Sequence, residues 1–401
     1  MVTEPGKKEL AGNSGDVGKI LFLALSFYLV FGFSNVSYFL PVYYKQIGVE
    51  STDRVGLLVG AFYLASVLTR PFLGGVVERL GFKRLFYLAG FLSVASSIGI
   101  AASGSVFWPG LICRFILGVG SSLFQIGLAT YQALAFRPER RGRAFSLIMA
   151  GGLAPVMTLV PIADMLLHHN QNTLYILFPL LICAGASLTT PLIPGLDHVT
   201  PERRESGSSL SELWACLRIK PLVLALLSSF LFSVTDAAAS FMGSMSTRLG
   251  LMASLFLSSN AVVGVLIRLT CGGLVDRFHR GTMASVSIVL TAGSLLLASI
   301  FPGERAFVAF GMIYGIGMGL GFPLHLALVS DSVSWRLQPQ AVSLSWFLMG
   351  VGFFVVPLSL GYLESMFDPV VAFRVVVVPV LLGAVCLFFL QRAFVGTARR
   401  G

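Results

Sequence analysis

Long apolar runs dominate the chain, separated by short polar breaks that carry most of the lysines and arginines. A helix needs about 20 mostly apolar residues to cross a bilayer core. At that length the pattern predicts twelve spans, at roughly 18–44, 54–77, 84–104, 107–135, 143–167, 173–193, 220–247, 252–275, 281–301, 305–331, 340–363 and 369–393. The runs lack the two-residue alternation of a barrel strand, and unpaired backbone groups are too costly in lipid for anything but helices or closed barrels, so the spans are expected to be helices. The longest polar stretch, PGLDHVTPERRESGSSLSELWACLRI at 194–219, lies between spans 6 and 7, and its Pro, Gly and Ser mark a linker. The prediction is an all-α integral membrane protein: a polar tail at 1–17, a six-helix bundle at 18–193, the linker at 194–219, a second six-helix bundle at 220–393 and a tail at 394–401. The first span is too long for a signal-peptide core and has no clear cleavage site, so insertion through the protein's own helices is expected.

Composition agrees with the pattern. Of 401 residues 56% are hydrophobic and only 11% charged, with a mean hydropathy of +0.86; a soluble domain is about one-quarter charged. The net charge of +10 sits in clusters between apolar runs, not in a stripe that could follow a nucleic-acid backbone, so no nucleic-acid partner is expected. Placing both termini on one side puts most of the bases there and leaves Lys45, Arg54, Arg248, Arg305 and Arg374 opposite. By the positive-inside bias both termini are expected in the cytoplasm, with the chain in the cytoplasmic membrane. The five cysteines are scattered with no CxxC pair, which suits small buried hydrophobes. His168 and His169 lack a third ligand at helical spacing, so no metal site is expected.

The string GGVVERLGFKR at 74–84 has a counterpart, GGLVDRFHRG, at 272–281. A shift of 198 positions lays Arg70 on Arg268, Gly74 on Gly272, Glu78 on Asp276 and Arg79 on Arg277. A shift of 197 pairs Ala144, Ser146 and Leu147 with Ala341, Ser343 and Leu344, so the pattern predicts an internal duplication. Small residues such as Gly74 let helices approach, Gly81 can take the positive φ of a tight turn, and an acid such as Glu78 suits the positive N-terminal end of a neighbouring helix. The bland reading is two inside loops obeying charge bias, which leaves the repeated acid unexplained.

This string resembles the loop 2–3 signature of the major facilitator superfamily, G-x-L-A-D-R-x-G-R-K, followed at Gly74, Arg79, Gly81 and Lys83, with Val76 for Leu, Val77 for Ala, Glu78 for Asp and Phe82 for the first base as departures. In the second copy His279 stands where the second glycine is expected. The resemblance implies two pseudo-symmetric six-helix bundles and a substrate site between them near the midplane. It also implies a cytoplasmic latch that closes in one state and breaks in the other, here Arg70, Gly74, Glu78, Arg79, Gly81, Lys83, Arg268, Gly272, Asp276 and Arg277.

Polar groups inside the spans supply the remaining candidates. Arg114, seven residues into span 4, is costly unless paired or wetted. Arg114 followed by Gly118 resembles a span-four pattern associated with proton-coupled members of the superfamily; a structural arginine bonded to backbone carbonyls is the other role open to it. Asp236, about sixteen residues up span 7, is a protonatable carboxylate of a coupled cycle, a cap at the outer mouth or a partner in a local pair. Asp164 and Asp331 lie nearer span ends and read as interfacial. Asn35, Tyr38, Gln125, Phe232, Asn260, His325 and Trp346 are candidates for the substrate cavity, each with helix-to-helix or lipid contact as its plainer role. Span 1 offers Asn35 where many multidrug exporters carry an acid, which argues against cationic cargo.

In span 5, AGGLAPVMT partly resembles the antiporter pattern G-x-x-x-G-P-x-x-G-G: Ala150, Ala154 and Pro155 fit, and Thr158 and Leu159 replace the final glycines. The preceding RPERRGRAFS resembles the 4–5 loop of bacterial efflux members. The expectation is a monomeric secondary transporter that exports a small amphipathic or polar molecule against protons by alternating access, with the proton gradient as energy source and no cofactor. Three alternatives stay open: proton-coupled uptake of a sugar or organic acid, export of a metallophore, and a non-transporting receptor or scaffold on the same fold. With no HExxH, no GxSxG and no paired acids at helical spacing, an enzyme is not expected.

Overall fold

A computed structural model describes residues 6–49, 51–135, 138–193, 210–270, 279–334 and 337–398. Twelve helices among them are long and apolar enough to span a membrane, and every expected span coincides with one. Span 1 runs Val17–Gln46, span 2 Thr52–Arg70, span 3 Arg79–Ser103, span 4 Phe107–Gln132, span 5 Gly151–His168 and span 6 Asn172–Leu192. The second half repeats the order with spans 7 (Lys220–Ala239), 8 (Ala253–Thr270), 9 (Arg280–Ile300), 10 (Glu304–Asp331), 11 (Gln340–Met366) and 12 (Pro369–Arg392).

Several boundaries differ from the expectation. The first helix reaches back to Gly6, inside the polar tail expected at 1–17. Within the expected linker, Leu210–Leu217 is helical; its Cys216 is buried in a small apolar cluster with Leu222, Val329 and Ala341 while Trp214 is exposed. Span 7, expected to reach 247, stops at Ala239, and a separate short helix follows at Met242–Arg248. Span 1 breaks in the same way through a 3-10 turn at Ser37–Phe39 before Leu40–Gln46. The duplication thus extends to a matched break in the first helix of each half. The two broken ends meet: a Cβ on Gly243 would lie 3.0 Å from the Phe39 ring.

Within the first half, span 1 packs on spans 5 and 6, and span 3 on spans 4 and 6; in the second, span 10 packs on spans 8 and 9, and span 12 on spans 7 and 9. The halves join mainly along span 2 with span 11 and span 5 with span 8. Bare backbone makes these seams close: a Cβ on Gly56 would lie 2.6 Å from the Pro357 carbonyl, and one on Gly361 equally near the Gly56 Cα. Gly81 takes φ +70° and separates span 2 from span 3, as the loop string requires of a glycine.

Candidate functional site

Charges close the junction between the halves at the base-poor end. Lys45 Nζ of span 1 donates to Glu364 Oε2 of span 11 at 2.6 Å and to Ser244 Oγ at 3.0 Å, and the Ser244 hydroxyl also donates to Glu364. Asp164 Oδ2 of span 5 accepts the Ser254 backbone N–H of span 8 at 2.7 Å. Sequence reading counted Lys45 only as a base; the signal available was Glu364, an acid at the matching depth of a span in the other half. Nearby, Arg248 Nε meets Asp368 Oδ2 at 2.6 Å, and that hydrogen bond, with the Val370 amide, holds the Asp368 carboxyl below its usual range. At the opposite end Asp331 pairs with Arg280.

Inside the first half, Arg114 is 1% exposed. Its Nε donates to the Leu58 carbonyl at 3.1 Å and its guanidinium lies 5.0 Å over the Phe62 ring. The phenols of Tyr44, Tyr63 and Tyr175 are close enough to act on it electrostatically. Among the described residues no carboxylate lies within ion-pair distance. A cavity of about 10 Å³, bordered by Ser37, Ser97 and Arg114, has room for roughly one water. The arginine-to-glycine spacing has a packing cause: a Cβ on Gly118 would stand 2.2 Å from the Phe62 carbonyl. The glycine brings span 4 against the backbone of span 2, and one turn away Arg114 reaches the Leu58 carbonyl.

Asp236 stands where the halves meet. It is half-buried, and its charge reaches Tyr38 and Tyr63 of the first half as well as Tyr314 and Arg268 of its own. Among the described residues no base lies within 4 Å of it. Tyr63 also feels Arg114 and stacks on Phe353 of span 11 at 5.2 Å, so one phenol is within electrostatic reach of both candidates for proton coupling. Sequence reading missed Tyr63, because an aromatic residue in an apolar span carries no mark of the interface.

The repeat arginines have matching settings. Arg70 Nη2 donates to Gln125 Oε1 of span 4 at 3.1 Å; Arg268 Nη2 donates to the Met318 carbonyl of span 10 at 3.5 Å. Each reaches from the second span of its half to the fourth. Arg70 also crosses the junction to lie 5.5 Å over the ring of Trp346 in span 11. Of the other latch residues, Gly74 and Glu78 lie on the helix before Gly81, and Arg79 and Lys83 are exposed. Gly272, Asp276 and Arg277 lie outside the described residues. His279, at φ −62°, caps span 9 by accepting the Thr282 N–H, a role that needs no glycine.

The expected cavity residues divide into two sets. Tyr38, Gln125, Asn260 and Trp346 are half-buried. Asn35, Phe232 and His325 are buried: His325 stacks on Phe232 at 4.6 Å and holds the Gly321 carbonyl through Nδ1, inside the second half. In span 5 the departures from the antiporter pattern have partners on span 1. Thr158 bonds the Tyr28 hydroxyl at 2.8 Å, and Leu159 fills the space left by Gly32, where a Cβ would be 2.7 Å from its Cδ1. The glycine of that close contact sits on the facing helix.

Comparison with known proteins matches this architecture. A family model described as Major Facilitator Superfamily matches residues 21–280 and 236–400. The uncharacterized MFS-type transporter YfkF of Bacillus subtilis (strain 168) is 22% identical over 331 residues, 80% of this chain and 82% of its own. The uncharacterized MFS-type transporter YcaD of Escherichia coli O45:K1 (strain S88 / ExPEC) is 21% identical over 308 residues, 74% and 76% of the two chains. Among solved structures, the nucleoside transporter NupG aligns with a TM-score of 0.69 at 16% identity, over 93% of this chain and 98% of that one. A POT family transporter in complex with 5-aminolevulinic acid aligns at 0.73 and 12% identity, over 92% and 94%.

Proposed function

Because this chain belongs to the Major Facilitator Superfamily and is therefore a membrane transporter and not an enzyme, we propose that it is a proton-coupled secondary transporter of a small molecule, working by alternating access with Asp236 as its proton carrier. The observation that carries this reading is the setting of Asp236: half-buried, its charge acting on Tyr38 and Tyr63 of one half and on Tyr314 and Arg268 of the other, with no base within 4 Å among the described residues. A carboxyl group at a moving interface sees its solvation change as the halves rock, and that change drives proton uptake and release. The Lys45–Glu364 and Asp164–Ser254 contacts act as the gate at the base-poor end, which we assign to the outside of the cytoplasmic membrane, with both termini in the cytoplasm. The duplicated loop strings act as the gate on the other side. The chain works as a monomer and needs no cofactor.

The partial antiporter pattern of span 5 and the 4–5 loop favour export. Arg268 favours a second reading, uptake: a ligand that draws this cation away from Asp236 makes the acid take a proton together with the ligand, and the two then travel in the same direction. Everted vesicles separate the readings. Substrate added to vesicles holding an imposed pH gradient is expected to dissipate it, and the sign of the coupled substrate flux gives the direction. A gradient that no candidate substrate dissipates, with Asp236→Asn behaving as wild type, refutes proton coupling through Asp236.

A further inference from the structure

The linker between the halves ends in a helix whose sides have different surroundings. Over Leu210–Leu217 an apolar residue recurs at Leu210, Leu213, Trp214 and Leu217, the spacing of one helix face, with Ser211 and Glu212 between. Cys216 is buried with Leu222, Val329 and Ala341 at the base-rich end of the second half, where the helix packs on spans 7 and 11. Trp214, two residues away and so on nearly the opposite side of the helix, is 66% exposed. Leu217, three residues after Trp214 and on its side, is 44% exposed. The helix therefore leans on the protein along one edge and leaves a tryptophan and a leucine uncovered where span 7 begins. Arg218 and Lys220 follow directly; both are exposed, and neither meets a carboxylate within 4 Å among the described residues. Span 7 then continues the uncovered apolar strip through Val223 and Leu227, one turn apart.

We propose that this helix lies in the headgroup layer of the membrane, and that Trp214, Arg218 and Lys220 form a docking surface for an anionic phospholipid whose acyl chains run along Val223 and Leu227. The inference goes beyond the transporter reading and needs only that the chain spans a membrane. A tryptophan ring, apolar with one polar N–H, suits the boundary between acyl chains and water. Bases beside it attract anionic headgroups. A soluble partner could meet Trp214 and the bases but has no access to the strip on span 7, which lies within the bilayer; a phospholipid uses both at once.

The test uses the purified full-length protein in lipid nanodiscs, with Trp108→Phe, Trp335→Phe and Trp346→Phe leaving Trp214 as the single tryptophan. In discs of brominated phosphatidylcholine its emission is expected to be strongly quenched, while aqueous iodide quenches it little. In discs of plain phosphatidylcholine, a minor fraction of brominated phosphatidylglycerol is expected to quench several-fold more than the same fraction of brominated phosphatidylcholine. Arg218→Gln and Lys220→Gln should each weaken that preference about fivefold and leave the quenching in fully brominated phosphatidylcholine unchanged. Added salt should weaken it in the unsubstituted chain as well. Should the triple replacement fail to fold, the same signal is read as the difference between wild type and Trp214→Phe. The proposal is overturned if iodide quenches Trp214 and brominated lipid does not, which puts the helix in water, or if neither quenches it, which puts protein over it. It is overturned equally if the two brominated lipids quench alike, if folded Gln variants keep the full preference, or if inorganic phosphate removes the preference where chloride at equal ionic strength does not, which makes this a site for free anions.

Discussion

Arg114 and Arg268 are both cations inside a lipid-spanning bundle, yet their surroundings differ in kind. Arg114 is enclosed by one half: a carbonyl of span 2, an aromatic face and a ring of phenols meet it, and span 4 is held against span 2 by Gly118. Arg268 has one long hydrogen bond, an unmet Nε and an acid, Asp236, that also faces the other half. A charge satisfied within one rigid half is insulated from the motion of the halves. One left partly unmet at their junction changes partners when they move. On the proposed reading, the difference separates a group that holds the fold from one that takes part in the cycle, and substitutions can break or sharpen it.

The largest expected effect is on transport. Asp236→Asn keeps the shape and removes the titration, so proton-coupled flux is expected to fall at least tenfold with little change in melting temperature, measured in vesicles and on the purified protein. Gly118→Val is expected to act in the opposite way. Its side chain would enter the Phe62 carbonyl, and backbone cannot yield as a flexible side chain does, so the folded fraction by size-exclusion chromatography should drop by more than about half. Arg114→Ala should follow it more mildly, lowering the melting temperature by roughly 5 °C through lost packing and the loss of its bond to the Leu58 carbonyl. If Arg114→Ala instead leaves stability untouched and abolishes proton coupling, the contrast between the two arginines collapses.

Smaller effects belong to the base-poor end. Glu364 is nearly buried and Lys45 only partly, so Glu364→Gln is expected to weaken closure by about 1–2 kcal/mol. In a background without native cysteines, Tyr38→Cys should then label several-fold faster with a membrane-impermeant maleimide added from that side. The smallest effect is expected at Asp368. Arg248 holds its carboxyl below the ordinary range, so its contribution to stability is present above the ordinary carboxylate value of about 4 and is lost as pH falls through the lowered one. Any difference in melting temperature between wild type and Asp368→Asn should therefore vanish in that acidic window, and a difference that grows on acidification would contradict the pairing.

Local chemistry along the chain was enough for much of this molecule. Span length and the placing of bases follow from the cost of putting polar groups in lipid, which each stretch meets by itself, so all twelve helices were legible with ends mostly within a few residues. The positive φ of Gly81 was legible too, because a tight turn between two spans asks for a glycine wherever it falls. Contacts between helices were not. That Tyr63 feels both Arg114 and Asp236, that Leu159 rests on Gly32, that Lys45 meets Glu364 across the junction, and that Phe232 stacks on His325 depends on how each helix is rotated about its axis. In a bundle this apolar, hydrophobic periodicity is too weak to encode that rotation, since lipid and protein neighbours are equally greasy. Close backbone contacts at glycines decided it, and only the assembled bundle shows which glycine faces which side chain.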